Sequence, residues 1–278
     1  MKQICDLHTH SVFSDGTYTP TEIICSAIDI GLSAVALCDH NTVDGIPEFL
    51  AAAKGKNIEA IAGSEFSVDY NGKELHLLGL YIPEDKLNII SDLMIEGHEL
   101  KEKSNIDLVN ALNKIGYTIS YAEVKSKSPN GKINRAHIAA ELTRKGYTES
   151  IAQAFKTVLS KKAGYYIEPK RLDVYETIEF VKSIGAVPVL AHPFLYLSEA
   201  ELRAFLPSAK KCGLVGMECY YSLYDEDRTN KSLSIATEFG LKPSGGSDFH
   251  GSNKPDIRLG VGKGNLEIPY EWAKAIKP

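Results

Sequence analysis

Short apolar runs alternate with amphipathic stretches along most of the chain. QICDLHTH (3–10) predicts a strand, and TPTEIICSAIDIG (19–31) a helix with Thr19 or Thr21 near its cap and Gly31 at its end. LSAVALCDHN predicts a second strand, GIPEFLAAAKGK a helix and IEAIAGSEFSVDY a third strand. Asn71-Gly72 then separates that strand from KELHLLGLYI, a hairpin signal that pairs strands three and four antiparallel. The alternation resumes late, with helices in DVYETIEFVKSIG, SEAELRAFLPSAKKCG and NKSLSIATEFG and strands in AVPVLAHP, LVGMECYY and LKPSGGSDFH. Strands alternating with helices imply an α/β protein with a parallel sheet, and about seven strands suit a closed or nearly closed barrel. The stretch 86–168 has helical periodicity without a strand signal, as in NIISDLMIEGHELKEKSNIDLVNALNKIG and AHIAAELTRKG. It reads as a helical insertion between barrel segments 1–85 and 169–278, covering the active site.

Charge sharpens that division. The whole chain is mildly acidic, at −5, which gives no general reason to expect nucleic-acid binding. Residues 94–172, however, hold 14 Lys and Arg against 8 Asp and Glu, so an acidic body carries a basic middle. A solvated, lysine-rich helical face explains that excess equally well. The 278 residues are enough for a large single core, or for a domain of roughly 200 residues with an insertion. No apolar h-region opens the chain and no apolar run nears the length of a membrane span. Five cysteines without a Cys-x-x-Cys pair read as reduced thiols, so a cytoplasmic protein is expected, with no membrane partner.

The polar residues fall in a pattern that folding alone does not require. His8 and His10 end the first strand at i and i+2, on one face. His40 ends the second strand, Glu65 lies in the third and His76 in the fourth. His192 ends VPVLAHP, and Asp248 and His250 form a second i, i+2 pair in GGSDFH. In a parallel barrel the C-terminal strand ends make one rim, where such folds keep their chemistry. A lone histidine here would read as a core residue bonded to a carbonyl; six of eight histidines so placed do not. An imidazole and carboxylate set without thiolate fits zinc, manganese or iron. With Asp15 it offers nine ligands, too many for one ion and enough for two or three divalent ions if a carboxylate bridges. Such a cluster activates water near neutral pH and neutralises phosphoryl charge.

DLHTHSVFSDGTYTP, ALCDHNTVDG, GSEFS, ELHLLGL, LAHP and GGSDFHG together resemble the successive motifs of the PHP (polymerase and histidinol phosphatase) family of metal-dependent phosphoesterases. The resemblance covers about residues 3–85 and 170–262. It implies a distorted (β/α)7 barrel with a three-metal site at the strand ends. One ion would take His8, His10, Glu65 and Asp248; a second would share Glu65 and add His76 and His192; a third would take Asp15, His40 and His250. Asn41 follows His40 where many relatives have aspartate, yet no ligand position is altered.

The family's polymerase modules sit in far longer chains. Within the insertion, Arg135-Ala136-His137-Ile138-Ala139 resembles the Arg-Pro-His-Ile-Ala element of a subgroup that includes nucleoside 3′,5′-bisphosphate phosphatases and a 5′-to-3′ exonuclease for short RNA. Arg135 and His137 would contact phosphate, with Lys161 a further basic candidate. Tyr165 and Tyr166 can stack on a base or simply pack, His98 reads as a surface residue, and Glu218 as a residue behind the ligands. The expected activity is hydrolysis of small nucleotide phosphoesters by a metal-bridging hydroxide, with no long nucleic acid as partner and the oligomeric state open. Alternatives are a histidinol phosphatase or other small-monoester phosphatase, and a non-catalytic metal-binding module.

Overall fold

In β1 (Cys5–Thr9) the side chains alternate: Cys5 and Leu7 enter an apolar core cluster, while Asp6 and His8 lie on the opposite face, with His10 just past the strand end. The computed structural model describes residues 3–128, 133–167, 169 and 171–278, and not the side chains of Glu96 and Lys161. Local chemistry sets each junction. α1 (Pro20–Asp29) starts at a reciprocal cap between Thr19 and Glu22 with Pro20 at its first position. It leads to β2 (Ala34–Leu37) and α2 (Ile46–Ala53). β3 (Glu59–Tyr70) turns at Asn71 and Gly72, both with positive φ (52° and 77°), into β4 (Lys73–Leu80). That is the turn the right-handed strand twist prefers.

After the helical segment come β5 (Leu172–Asp173), α7 (Val174–Ser183), β6 (Val187–Leu190), α8 (Glu199–Cys212), β7 (Gly216–Tyr221), α9 (Glu226–Glu238), β8 (Lys242–Gly246) and α10 (Tyr270–Ile276). The strands order as β1-β2-β3-β4-β6-β7-β8, with the short β5 beside β3. β4 runs antiparallel to both β3 and β6, and the other pairs are parallel, so the sheet is mixed rather than parallel throughout. The sheet nearly closes into a barrel at the ends of β1 and β8. There His10 N–H donates to the Phe249 carbonyl and Asp248 N–H to the His8 carbonyl, each at 2.9 Å. Closure is tight: a Cβ on Gly246 would stand 2.2 Å from the His8 Cβ. Asp6, fully buried, ties the seam by accepting the N–H groups of Ser247, Gly260 and His8.

The chain divides into two compact units, Met1–Asp92 with Arg171–Pro278, and Leu93–Lys170. The second contains most of α3 (Leu87–Lys114), with α4 (Tyr121–Ser126), α5 (Arg135–Arg144) and α6 (Ile151–Lys156). Its own core includes Leu108, Leu112, Ile138 and Leu142, and buried Asn105 donates to the Ile133 carbonyl at 2.9 Å. Among the described residues no helix is long and apolar enough to cross a membrane.

Candidate metal centre

Glu65 lies in the middle of β3, fully buried, and five imidazoles point at its two oxygens. Oε2 is 3.2 Å from His8 Nε2, 3.2 Å from His10 Nε2 and 3.0 Å from His40 Nδ1. Oε1 is 2.7 Å from His76 Nδ1 and 3.0 Å from His192 Nε2. The long β3–β4 hairpin explains the reach: His76 pairs with Ser67 across the ladder, one pleat beyond Glu65. The two barrel-closing bonds bring Asp248 to the same point, its Oδ1 3.2 Å from His10 Nε2. Asp15, on the loop after β1, is 3.2 Å from His250 Nε2 and 3.7 Å from His40 Nε2.

All nine ligand candidates are therefore brought together in the barrel unit. Four overlapping groups have donors close enough to share an ion: His8, His10, Glu65 and Asp248; His10, Asp15, His40 and His250; His40, Glu65 and His76; and His8, His192 and Glu218. The first group is the set expected for one ion. In the others His40 joins Glu65 and His76, His192 groups with His8 and Glu218 while also lying 3.0 Å from Glu65 Oε1, and His10 joins the Asp15 group.

The residues behind the ligands aim them. His8 Nδ1 lies 3.0 Å from Glu218 Oε1; a carboxylate brings no proton, so Nδ1 donates and Nε2 faces the cluster. Glu218 Oε2 also accepts the His192 N–H at 2.7 Å. His250 Nδ1 donates to the Asp248 carbonyl at 2.8 Å, which turns its Nε2 toward Asp15. Asp39 accepts from the Ser11 N–H and from the Ser11 and Ser14 hydroxyls, pinning the loop that bears Asp15. Asn41 takes a positive φ of 51°, which asparagine tolerates, and its side chain clasps Ser67 by both amide groups. Asn41 thus ties the end of β2 to β3 by two bonds. His192 and Asp248 also have positive φ, 23° and 57°, so strained backbone gathers at the site.

The donor chemistry fits cations. Asp15 Oδ1, His40 Nδ1, Glu65 Oε2 and His192 Nδ1 are buried and make no hydrogen bond, an expensive state for a site that held nothing. His8 Nε2 and His10 Nε2 face each other at 3.0 Å, an arrangement that suits two lone pairs on one ion. Burial opposes charge on these groups, yet mutual attraction prevails for most of them. Against burial, Asp248 and Glu65 hold His10 up at about 9, and Glu65 holds His76 up at about 9. Glu65, Asp248 and Asp15 are held well below the usual carboxylate range by the surrounding imidazoles, despite burial. For His40 burial wins and its value falls to about 3, so it is a ready neutral donor.

The substrate candidates belong to the helical unit. Arg135 begins α5, with its guanidinium 4.5 Å above the Tyr166 ring and 5.7 Å from that of Phe155. His137 Nδ1 accepts the Asn134 N–H in a cap that the Asn134 side chain completes. Ala136 in place of proline therefore leaves the turn firmly held. The side chain of Lys161 lies outside the described residues. Sequence reasoning missed Asp39, Tyr221 and Lys254; only Asp39, beside His40, carried a local signal.

A family profile described as PHP domain matches residues 6–171. The chain is 33% identical over 247 residues to a 5′-3′ exoribonuclease of Haemophilus influenzae, covering 88% of this chain and 89% of that protein. It is 27% identical over 247 residues to a 3′,5′-nucleoside bisphosphate phosphatase of Chromobacterium violaceum, covering 88% and 86%. The crystal structure of a proposed metal-dependent phosphoesterase from Bifidobacterium adolescentis superposes with a TM-score of 0.84 at 29% identity, covering 99% of this chain and 95% of that one.

Proposed function

The chain belongs to the PHP domain family of metal-dependent phosphoester hydrolases, and from that premise we propose that it hydrolyses phosphate esters of small nucleotides, such as nucleoside 3′,5′-bisphosphates or the 5′ ends of short oligonucleotides. Two or three divalent cations, manganese, zinc or iron, would be held by His8, His10, Asp15, His40, Glu65, His76, His192, Asp248 and His250. The observation that carries the reading is the donor set around Glu65, with buried atoms that make no hydrogen bond and that suit cations. When bound, such ions neutralise charge on a phosphoryl group and activate water.

The protein's own residues do the rest. Glu65 divides its two oxygens between different histidine sets, so it can serve neighbouring ions at once. Glu218 fixes the His8 tautomer, and Tyr221 O–H donates to Asp248 Oδ2 at 2.9 Å, leaving Oδ1 for the cluster. Within the helical unit, Arg135, stacked on Tyr166, carries a planar fork of the kind that pairs with phosphate. The names of the two relatives, and the basic excess of residues 94–172, support a substrate with more than one phosphate.

Each charge-assisted contact contributes about 1.5–3 kcal/mol, so a second phosphate is worth about tenfold to a hundredfold in specificity. Catalytic efficiency on adenosine 3′,5′-bisphosphate should exceed that on AMP, and both should exceed histidinol phosphate, which carries one phosphate and a cationic amine. Equal or better efficiency on histidinol phosphate would move the protein to the monoester reading. Cations bound without turnover of any phosphoester would leave the non-catalytic module.

A further inference from the structure

We propose that Lys254 is a substrate-contacting residue of this site, an ammonium that leaves Asp248 to meet the phosphoryl oxygens once cations occupy the cluster; the proposal rests on the phosphoesterase reading above. Its Nζ lies 2.7 Å from Asp248 Oδ2, one carboxylate away from His10 Nε2. Among the described residues it is the lysine paired with a carboxylate of the ligand set.

Two features separate Lys254 from an ordinary structural pair. First, Asp248 does not need it for orientation, because the same oxygen already accepts the buried Tyr221 hydroxyl at 2.9 Å. Second, the lysine side chain is 37% exposed beside a carboxylate that is 6% exposed, so it stands where the cluster opens to solvent. Its base is held firmly. The turn Gly251–Asn253 is tied to the loop bearing Asp15 by Ser252 N–H to Thr17 Oγ1 at 2.9 Å and by Asn253 Nδ2 to the Asp15 carbonyl at 2.7 Å. A rigid base, a flexible four-carbon stem and three donors on the ammonium let the charge move a short way without moving the turn.

The electrostatics supply the trigger. The ammonium answers the negative charge of Asp248. Cations held by His8, His10, Glu65 and Asp248 would neutralise that carboxylate and weaken its hold on the ammonium, for which a phosphoryl group would be a new anion. Lys254 would then donate to a non-bridging oxygen and stabilise the charge that builds there on ester cleavage.

Three proteins decide it: wild type, Lys254→Met and Lys254→Arg, each loaded with Mn2+. The readouts are Mn content, melting temperature, calorimetric affinity for inorganic phosphate, and kcat/KM on adenosine 3′,5′-bisphosphate. Lys254→Met should keep its Mn content and melting temperature, yet lose about tenfold to a hundredfold in phosphate affinity and in kcat/KM, the weight of one charge-assisted bond. Lys254→Arg should recover part of both. Unchanged phosphate affinity in Lys254→Met overturns the proposal, and so does loss of Mn, which would make Lys254 only a prop for Asp248. Wild-type protein that binds Mn2+ but cleaves no phosphoester would instead remove the functional reading on which the proposal rests.

Discussion

Replacing Glu218 with Gln changes one atom of the site and tests how far the ligands depend on what lies behind them. The carboxylate is fully buried and takes two donors, His8 Nδ1–H at 3.0 Å and His192 N–H at 2.7 Å. Gln keeps the size and one acceptor, but its amide must present N–H2 to a group that is itself a donor. One charge-assisted bond of about 1.5–3 kcal/mol is lost, and cation affinity at the His8, His10, Glu65 and Asp248 group should fall about 10–100-fold. A second effect has the opposite sign. Burial lowers the proton affinity of His8, but Glu65 and Glu218 outweigh it and hold the imidazolium well above its ordinary range. Without the Glu218 charge the proton competes less with the cation, which helps binding at low pH. Between about pH 6 and about pH 9 the deficit should therefore widen as pH rises, because the proton competes less. Calorimetric titration of the metal-depleted proteins with Mn2+ across that range measures it. Equal affinity for wild type and Glu218→Gln at the upper end, with both folded, would refute the orienting role.

Two further outcomes follow from the same geometry. In the metal-free protein His10 and His76 keep their protons up to about 9, so cation binding near neutral pH must expel protons; calorimetry in buffers of different ionisation enthalpy should show buffer-dependent heats that shrink above about pH 9. Because these values are raised, the stability they lend the metal-free protein is present below about 6.5 and is lost as pH rises through about 9. Gly246→Ala should lose about 1–3 kcal/mol or more in urea unfolding, since its methyl would need the space of the His8 Cβ; an unchanged midpoint would show that the seam yields.

Much of the fold is written in local pattern. Thr19 with Glu22 announces α1, and Asn71-Gly72 announces the β3–β4 hairpin, because caps and tight turns depend only on neighbours in sequence. The pairing of β4 with β6 is not local: both strands read as apolar runs, and nothing in either says that their directions oppose. The two i, i+2 pairs and His40 are visible because strand ends carry chemistry in this class of fold. Glu65 is harder, sitting mid-strand, where its role needs the surrounding motifs to be recognised. Which histidines share an ion is set by side-chain convergence across five strands, so the place of His40 beside Glu65 and His76 could not be read in advance. Tyr221 and Lys254 stayed hidden for the same reason: one looks like a core aromatic, the other like a surface lysine, until both are found on Asp248 Oδ2.

The central claim is that these nine side chains hold the cations on which phosphoester hydrolysis depends. Metal-depleted protein titrated with Mn2+, with turnover of adenosine 3′,5′-bisphosphate followed at each step, tests it directly. Activity should be absent without metal, climb with each addition and level off at about two to three equivalents per chain. Full turnover in the metal-depleted protein, or a plateau at a single equivalent, would contradict the account.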